Sequence, residues 1–206
     1  MATAAQVIGT RERLLQAAME LFTTQGYEAT SLAEVLHRAG VNSGSLYYFF
    51  KTKEDLLLAG LDYFKTLLYP IVMEPPFTRE QDPIERIFAV LADYRERLVF
   101  CKTEYECPIG KLALEVGRHS EPARIKIGEN FAGWRAHIRQ CLEDAADRLP
   151  LSLDFEALAT FVLTVMEGAV MQARTHHDMA FYDASISQLR SYFQYLLSEK
   201  NEIRSA

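Results

Sequence analysis

The residues best suited to chemistry lie between Ser43 and Lys53. Ser43, Gly44 and Ser45 are small enough to bring backbone amides and hydroxyls against nucleic-acid base edges. Tyr47, Tyr48 and Lys53 can reach phosphates or bases around them. The plain alternative is a set of surface residues on a small helical domain, but aromatics exposed at the tip of a short helix are unusual without a partner. A second candidate is Cys107, placed before Pro108 at the start of a helical segment, where unpaired N–H groups and the helix dipole favour a thiolate. Lys111, about one turn further on, would add to that effect. The competing reading of Cys107 is a small, partly buried cap residue, and Cys101 and Cys141 fall in helix interiors as inert packing. His176, His177 and Asp178 are adjacent rather than at metal-ligand spacing and read as a solvated loop. The chain has no glycine-rich phosphate loop, nucleophile elbow, paired-carboxylate or metal motif. No catalytic residue, metal or cofactor is therefore expected, and the protein reads as a non-enzyme.

The elements that must position the first group are legible around it. Ser31 with Glu34 three residues on is a capping box, opening a helix whose apolar face is Leu32, Val35 and Leu36. Ala39 and Gly40 close that helix, because glycine tolerates the left-handed backbone of a sharp stop. Val41 is the buried corner, Asn42 or Ser43 caps a second helix over Gly44 to Phe49, and Thr52 with Asp55 caps a third. Two short helices joined by a glycine turn make a helix-turn-helix, whose second member can enter a DNA major groove.

The run from Ala39 to Leu57, AGVNSGSLYYFFKTKEDLL, resembles the recognition segment of the TetR family of transcriptional regulators, and the similarity extends back over residues 10–57. The resemblance implies that Thr30, Tyr47 and Lys53 hold phosphates, while Ser43, Ser45 and Tyr48, with Gly44 allowing close approach, reach bases. It also implies an operator on double-stranded DNA, a small-molecule effector, a homodimer whose last two helices pair with their symmetry mates and, from the run Glu106 to Glu115, a candidate role for Cys107 as a sensor thiol for electrophiles. Two positions depart from the family pattern. Ser43 stands where a basic residue is common, and Phe49 where a histidine is common, so backbone anchoring is weaker.

Composition sets limits. The 206 residues carry 28 acidic against 22 basic side chains, a net charge of −6, and residues 1–55 hold five Lys/Arg against six Asp/Glu. No broad basic patch supplies non-specific affinity, so DNA binding must come from a few placed contacts, helix N-termini and dimeric avidity. Hydrophobic content of 49% with 24% charged residues fits an ordinary globular protein. The N-terminus lacks the basic start and apolar core of a signal peptide, and the apolar region 155–171 contains Glu156 and Glu167, as in a buried helix. Three cysteines without an export signal point to a reducing cytoplasm and no membrane.

Along the chain, Thr10 is expected to cap a helix to about Gln25, and a further helix runs from Thr52 to about Tyr69. Residues 70–82, with three of the seven prolines, mark the clearest break. Helices follow over about 83–101, 108–116, 121–149, 154–174 and 183–197, separated after the first by a loop at 102–106. The predicted fold is all-α: a DNA-binding domain over 1–51 and a ligand-binding and dimerisation domain over 52–206. Tyr63, Phe64, Leu67, Phe88, Leu91, Tyr94, Phe131, Trp134, Met166 and Met171 are candidates to line an apolar ligand pocket, with His137 or Arg135 fixing orientation. Leu158, Phe161, Val165, Ala169, Leu189, Phe193 and Leu196 are candidates for the dimer surface, although such stripes also serve a protein's own core. The expected function is a repressor released from a palindromic operator by a largely apolar ligand, with helix 52–69 carrying the motion. The rival is a small-molecule-binding helical protein, or in second place an enzyme, that keeps the helix-turn-helix as scaffold.

Overall fold

A computed structural model describes residues 9–100 and 106–205, with side chains to Glu199. Every element among them is helical: α1 (Thr10–Thr24), α2 (Leu32–Ala39), α3 (Ser43–Phe49), α4 (Lys53–Leu67), a π-helical stretch (Leu68–Met73), α5 (Glu74–Arg79), α6 (Pro83–Phe100), α7 (Pro108–Val116), α8 (Glu121–Asp144), a 3₁₀ turn (Ala146–Arg148), α9 (Phe155–His176) and α10 (Ala180–Ser205). Cys101 and most of the loop expected over 102–106 lie outside the described residues.

The chain forms two compact units, Met1–Thr66 with Pro108–Asn130, and Leu67–Cys107 with Phe131–Ala206. This division does not follow the expected cut after residue 51. The first unit takes in most of α4, all of α7 and the first ten residues of α8.

The first unit is built as its sequence dictates. Leu14, Leu15, Ala18 and Phe22 of α1 are buried, as are Val35, Leu46, Leu56, Leu57 and Leu61 from the following helices. Three helix starts are fixed by side chains. The Ser31 hydroxyl accepts the Glu34 N–H while the Glu34 carboxylate accepts the Ser31 N–H. Asn42, not Ser43, caps α3 by accepting the Ser45 N–H at 2.9 Å. Thr52 and Asp55 exchange N–H bonds at 3.0 Å in each direction ahead of α4. Gly40 adopts φ 63°, the left-handed stop between α2 and α3. At α1 the expectation changes: Gly9 holds the N-cap position and no side chain caps it, Thr10 being the first helical residue.

The chain does not break at Pro70. It widens into the π-helical stretch, where Pro70 sits, and continues as α5. Pro75 and Pro76 follow in the first turn of α5, just where the π-helical stretch passes into the α-helix. The true break is Glu80–Asp82, after which Asp82 Oδ1 accepts the Ile84 and Glu85 N–H groups and starts α6.

In the second unit, α6, α9 and α10 share one apolar core with the π-helical stretch and the later half of α8. Phe88 meets Phe193 edge-to-face with centroids 5.4 Å apart, and the buried Tyr182 hydroxyl donates to the Leu91 carbonyl at 2.7 Å. The expected dimer set is largely redirected here. Leu158, Ala169, Leu189, Phe193 and Leu196 are members of this core and Val165 packs against it, leaving Phe161 as the exposed residue of the seven. A helix apolar over most of its circumference spends its widest stripe inward. The last helix also starts earlier than expected, at Ala180, because Asp178 Oδ1 accepts the Ala180 N–H.

Candidate nucleic-acid interface and apolar cavity

Within the first unit, α3 has two distinct sides. Leu46 and Phe50, four residues apart, are buried and anchor it. Tyr47 is half exposed and Tyr48 is 78% exposed, with Ser43 and Gly44 open to solvent ahead of them. Tyr48 and Phe49 support each other edge-to-face at 4.8 Å. The Ser45 hydroxyl is turned to Asn42 Oδ1 at 3.0 Å, so it steadies the helix start as well as standing near the surface. Lys51 Nζ donates to the Tyr47 carbonyl at 2.8 Å and closes the other end. The small-residue tip and the tyrosine pair are therefore presented together by a helix fixed at both ends.

Lys53 is partly buried, its ammonium 4.3 Å from the Tyr27 ring centroid and 3.4 Å from the Glu28 carbonyl oxygen. That is a cation–π seat with one hydrogen bond, which orients the charge rather than leaving it to sweep solvent. Burial, with Glu54 and Glu28 nearby, pushes the Tyr27 phenol up to about 12, so it stays neutral. Thr30 does not belong with this group. It is 1% exposed, its hydroxyl donates to the Gly26 carbonyl at 2.7 Å, and Gln25 bonds it from the other side. The hydroxyl satisfies a carbonyl that the end of α1 leaves without a helical partner, which removes Thr30 from the contact surface.

In the second unit a small cavity of about 10 Å³ lies among Met73, Phe77, Ile87, Leu91, Trp134, Ile138 and Met166, with four further apolar or thiol side chains. It has room for about one water-sized sphere and its lining offers no polar surface, so it is a seam in a dry core. Of the expected pocket residues it gathers Leu91, Trp134 and Met166. Tyr94 is brought beside Trp134, ring centroids 5.6 Å apart, and Phe131 packs on the same core. Phe88 is committed to Phe193 and to Arg190, whose guanidinium lies 3.9 Å from its ring. Tyr63 and Phe64 fall in the first unit, Leu67 is partly buried away from the lining, and Met171 is 56% exposed. Arg135 pairs with Glu156, and His137, held below its ordinary value by burial, lies against Tyr69 and Phe77.

Cys107 is buried and hydrogen-bonds the Glu167 carboxylate, whose Oε1 is buried without a hydrogen-bond partner among the described residues. Within the first unit the Lys111 ammonium donates to the Thr23 and Thr24 carbonyls. Cys141 is buried and its thiol is pushed up to about 11 by burial, as an inert packing residue requires. His177 takes the left-handed C-cap of α9 and His176 stacks on Phe181, and no group of metal-binding side chains occurs among the described residues.

Glu115 is the residue that the sequence pattern did not single out, and Lys111 was read there for a different role. Both reach the backbone around the end of α1, and the signal for them is an accounting one: the last carbonyls of α1 need donors, which Lys111 supplies, and the amides after Gly26 need acceptors, which Glu115 supplies.

Residues 14–59 match the family model for bacterial regulatory proteins, tetR family, and residues 83–189, over half of the chain, match that for the tetracyclin repressor-like C-terminal domain. The chain is 29% identical over 172 residues to the HTH-type transcriptional regulator LmrA of Bacillus subtilis, covering 80% of this chain and 86% of that one. It is 28% identical over 170 residues to the HTH-type transcriptional repressor ComR of Escherichia coli, covering 80% and 79%. A TetR transcriptional regulator from Chloroflexus aurantiacus aligns in structure with a TM-score of 0.77 at 26% identity, over 90% of this chain and 94% of the other. The reduced form of Escherichia coli NemR aligns with a TM-score of 0.76 at 25% identity, over 89% and 96%. With its two-sided recognition helix and all-helical second unit, the chain belongs to the TetR family of DNA-binding transcriptional regulators.

Proposed function

We propose that the protein is a cytoplasmic, homodimeric repressor, not an enzyme, that leaves a near-palindromic operator when a small apolar molecule binds its second unit. The observation that carries the reading is the exposure of Tyr47 and Tyr48 beside Ser43 and Gly44, on a helix anchored from behind by Leu46 and Phe50. Two such helices would enter successive major grooves about 34–36 Å apart. Tyr47 and Lys53 serve phosphates, and Ser43, Ser45 and Tyr48 serve base edges. In functional terms residues 1–51 hold the recognition surface and 52–206 the response. The apolar seam around Trp134 and Met166 is the place for the ligand to open, and release follows from the ligand's unequal affinity for the two geometries, typically about 1–3 kcal/mol of coupling.

The dimer surface of this proposal is the outward side of α9 and α10. Phe161 and Tyr192 meet there edge-to-face at 6.0 Å, with Tyr195 62% and Met171 56% exposed.

Footprinting on the DNA upstream of the protein's own gene, at two salt concentrations, tests the assignment. A protected palindrome whose protection weakens with salt is expected, because each neutralised phosphate releases counterions. Binding that ignores salt, beside tight binding of small molecules, would favour the scaffold reading that the acidic charge suggests.

A further inference from the structure

We propose that Lys111 and Glu115 are positioning residues for DNA recognition, holding from α7 the turn on which the Lys53 ammonium is seated. The inference rests on the reading of Lys53 as a phosphate contact.

The chain leaves α1 at Thr24, where the last carbonyls of a helix lack intrahelical donors. Lys111 Nζ supplies them, donating to the Thr23 carbonyl at 2.9 Å and the Thr24 carbonyl at 2.8 Å, a cation at the negative end of the helix dipole. One turn later on α7, the Glu115 carboxylate accepts the Tyr27 N–H at 2.9 Å and the Glu28 N–H at 2.8 Å. These are charge-assisted bonds to backbone, made from residues 88 and 87 positions away in sequence. Gly26 makes the approach possible. Its φ of 104° turns the two amides toward Glu115, and a Cβ there would stand 3.1 Å from Glu115 Oε1.

The same two residues seat Lys53 with their other groups. The Tyr27 ring lies under the ammonium and the Glu28 carbonyl accepts from it. Glu115 thus holds the amides, and Lys53 uses the ring and the carbonyl, of one short peptide segment. A displacement of α7 moves that segment and redirects a charge that would face the phosphates.

The test uses the full-length protein and an operator duplex defined by footprinting, with Kd measured by anisotropy across a salt series. Glu115→Gln keeps the size but offers a single acceptor to two donors. It is expected to weaken binding about tenfold, within the usual range of coupling between sites. It is also expected to lower the salt slope by about one, as Lys53→Ala does, although it removes no positive charge. In the Lys53→Ala background Glu115→Gln should then add little. Lys111→Met should weaken binding in the same direction, with Lys111→Arg restoring it. Faster amide exchange at Tyr27 and Glu28 in Glu115→Gln shows that the seat has loosened while circular dichroism reports an intact fold. If Glu115→Gln misfolds, Glu115→Asp with the same salt series replaces it. An unchanged Kd and slope, or effects that add fully to Lys53→Ala, overturn the proposal while leaving the regulator reading intact. Failure of the wild-type protein to bind any operator overturns that reading itself.

Discussion

The Cys107 thiol donates its hydrogen bond to the Glu167 carboxylate in a site where Cys107 is only 4% exposed. The helix start that suggested a reactive cysteine is present, but the thiol is buried against a carboxylate. Iodoacetamide is expected to alkylate Cys107 much more slowly in the native protein than in the urea-unfolded chain at the same pH. Equal rates, read by peptide mass spectrometry, would return Cys107 to the role of electrophile sensor.

Glu167 offers a test through pH. Burial raises its carboxyl above the ordinary value of 4.5, and the Cys107 hydrogen bond offsets only part of that. A raised pKa in the folded state means that folding takes up the proton, so stability is fullest below the unfolded value and falls as pH rises through the folded one. Glu167→Gln removes the charge and keeps the shape. Above the folded pKa it should raise Tm, by about 2–4 °C for each kcal/mol relieved in a chain of this size. Below pH 4.5 the gain should shrink toward nothing. A variant less stable than wild type at neutral pH would show that the carboxylate is needed as an acceptor.

The outward aromatic group on α9 and α10 makes a separate prediction. Phe161, Tyr192 and Tyr195 are exposed beyond what the protomer's own packing uses. Large apolar groups in one patch mark an interaction surface. Replacing Phe161 and Tyr195 together by Glu should convert a dimer to a monomer in sedimentation, with little change in helical content, because neither side chain belongs to the core. Leu158→Glu, by contrast, should unfold the unit, since Leu158 is buried within the protomer. A dimer that survives the double variant places the interface elsewhere.

The local signals of this chain were readable because each rests on a few neighbouring residues. Ser31 with Glu34, Gly40, Asn42 and Thr52 with Asp55 all act within one turn, and the structure has each where the pattern puts it. What could not be read depends on which side of an element finds a partner. Leu158 and Phe161 are equally apolar and three residues apart, yet one is core and the other surface. Thr30 sits beside a contact surface in sequence and turns inward because the Gly26 carbonyl needs a donor. The continuity through Pro70 was hidden for a different reason: proline is scored as a helix breaker, while a π-helical stretch and a first-turn position both accommodate it. Glu115 was invisible because its partners are backbone amides distant in sequence, which carry no residue-type signature.

Two substitutions on α3 should separate recognition from folding. Tyr48 is 78% exposed and touches mainly the Phe49 ring, so Tyr48→Ala should change stability by no more than about 0.5 kcal/mol, as for other surface sites. If Tyr48 meets the operator, the same change should cost about 1–3 kcal/mol of binding for each head, and a dimer engages two. Leu46, two residues earlier, is fully buried, and Leu46→Ala should cost about 2–5 kcal/mol of stability through the cavity it leaves. Its operator affinity per folded molecule should change less than its Tm. Thermal melts and anisotropy titrations on the two variants read these quantities independently. Loss of stability in Tyr48→Ala, or full operator affinity with Tyr48 removed, would mean that the exposed tyrosines are not what α3 presents to DNA.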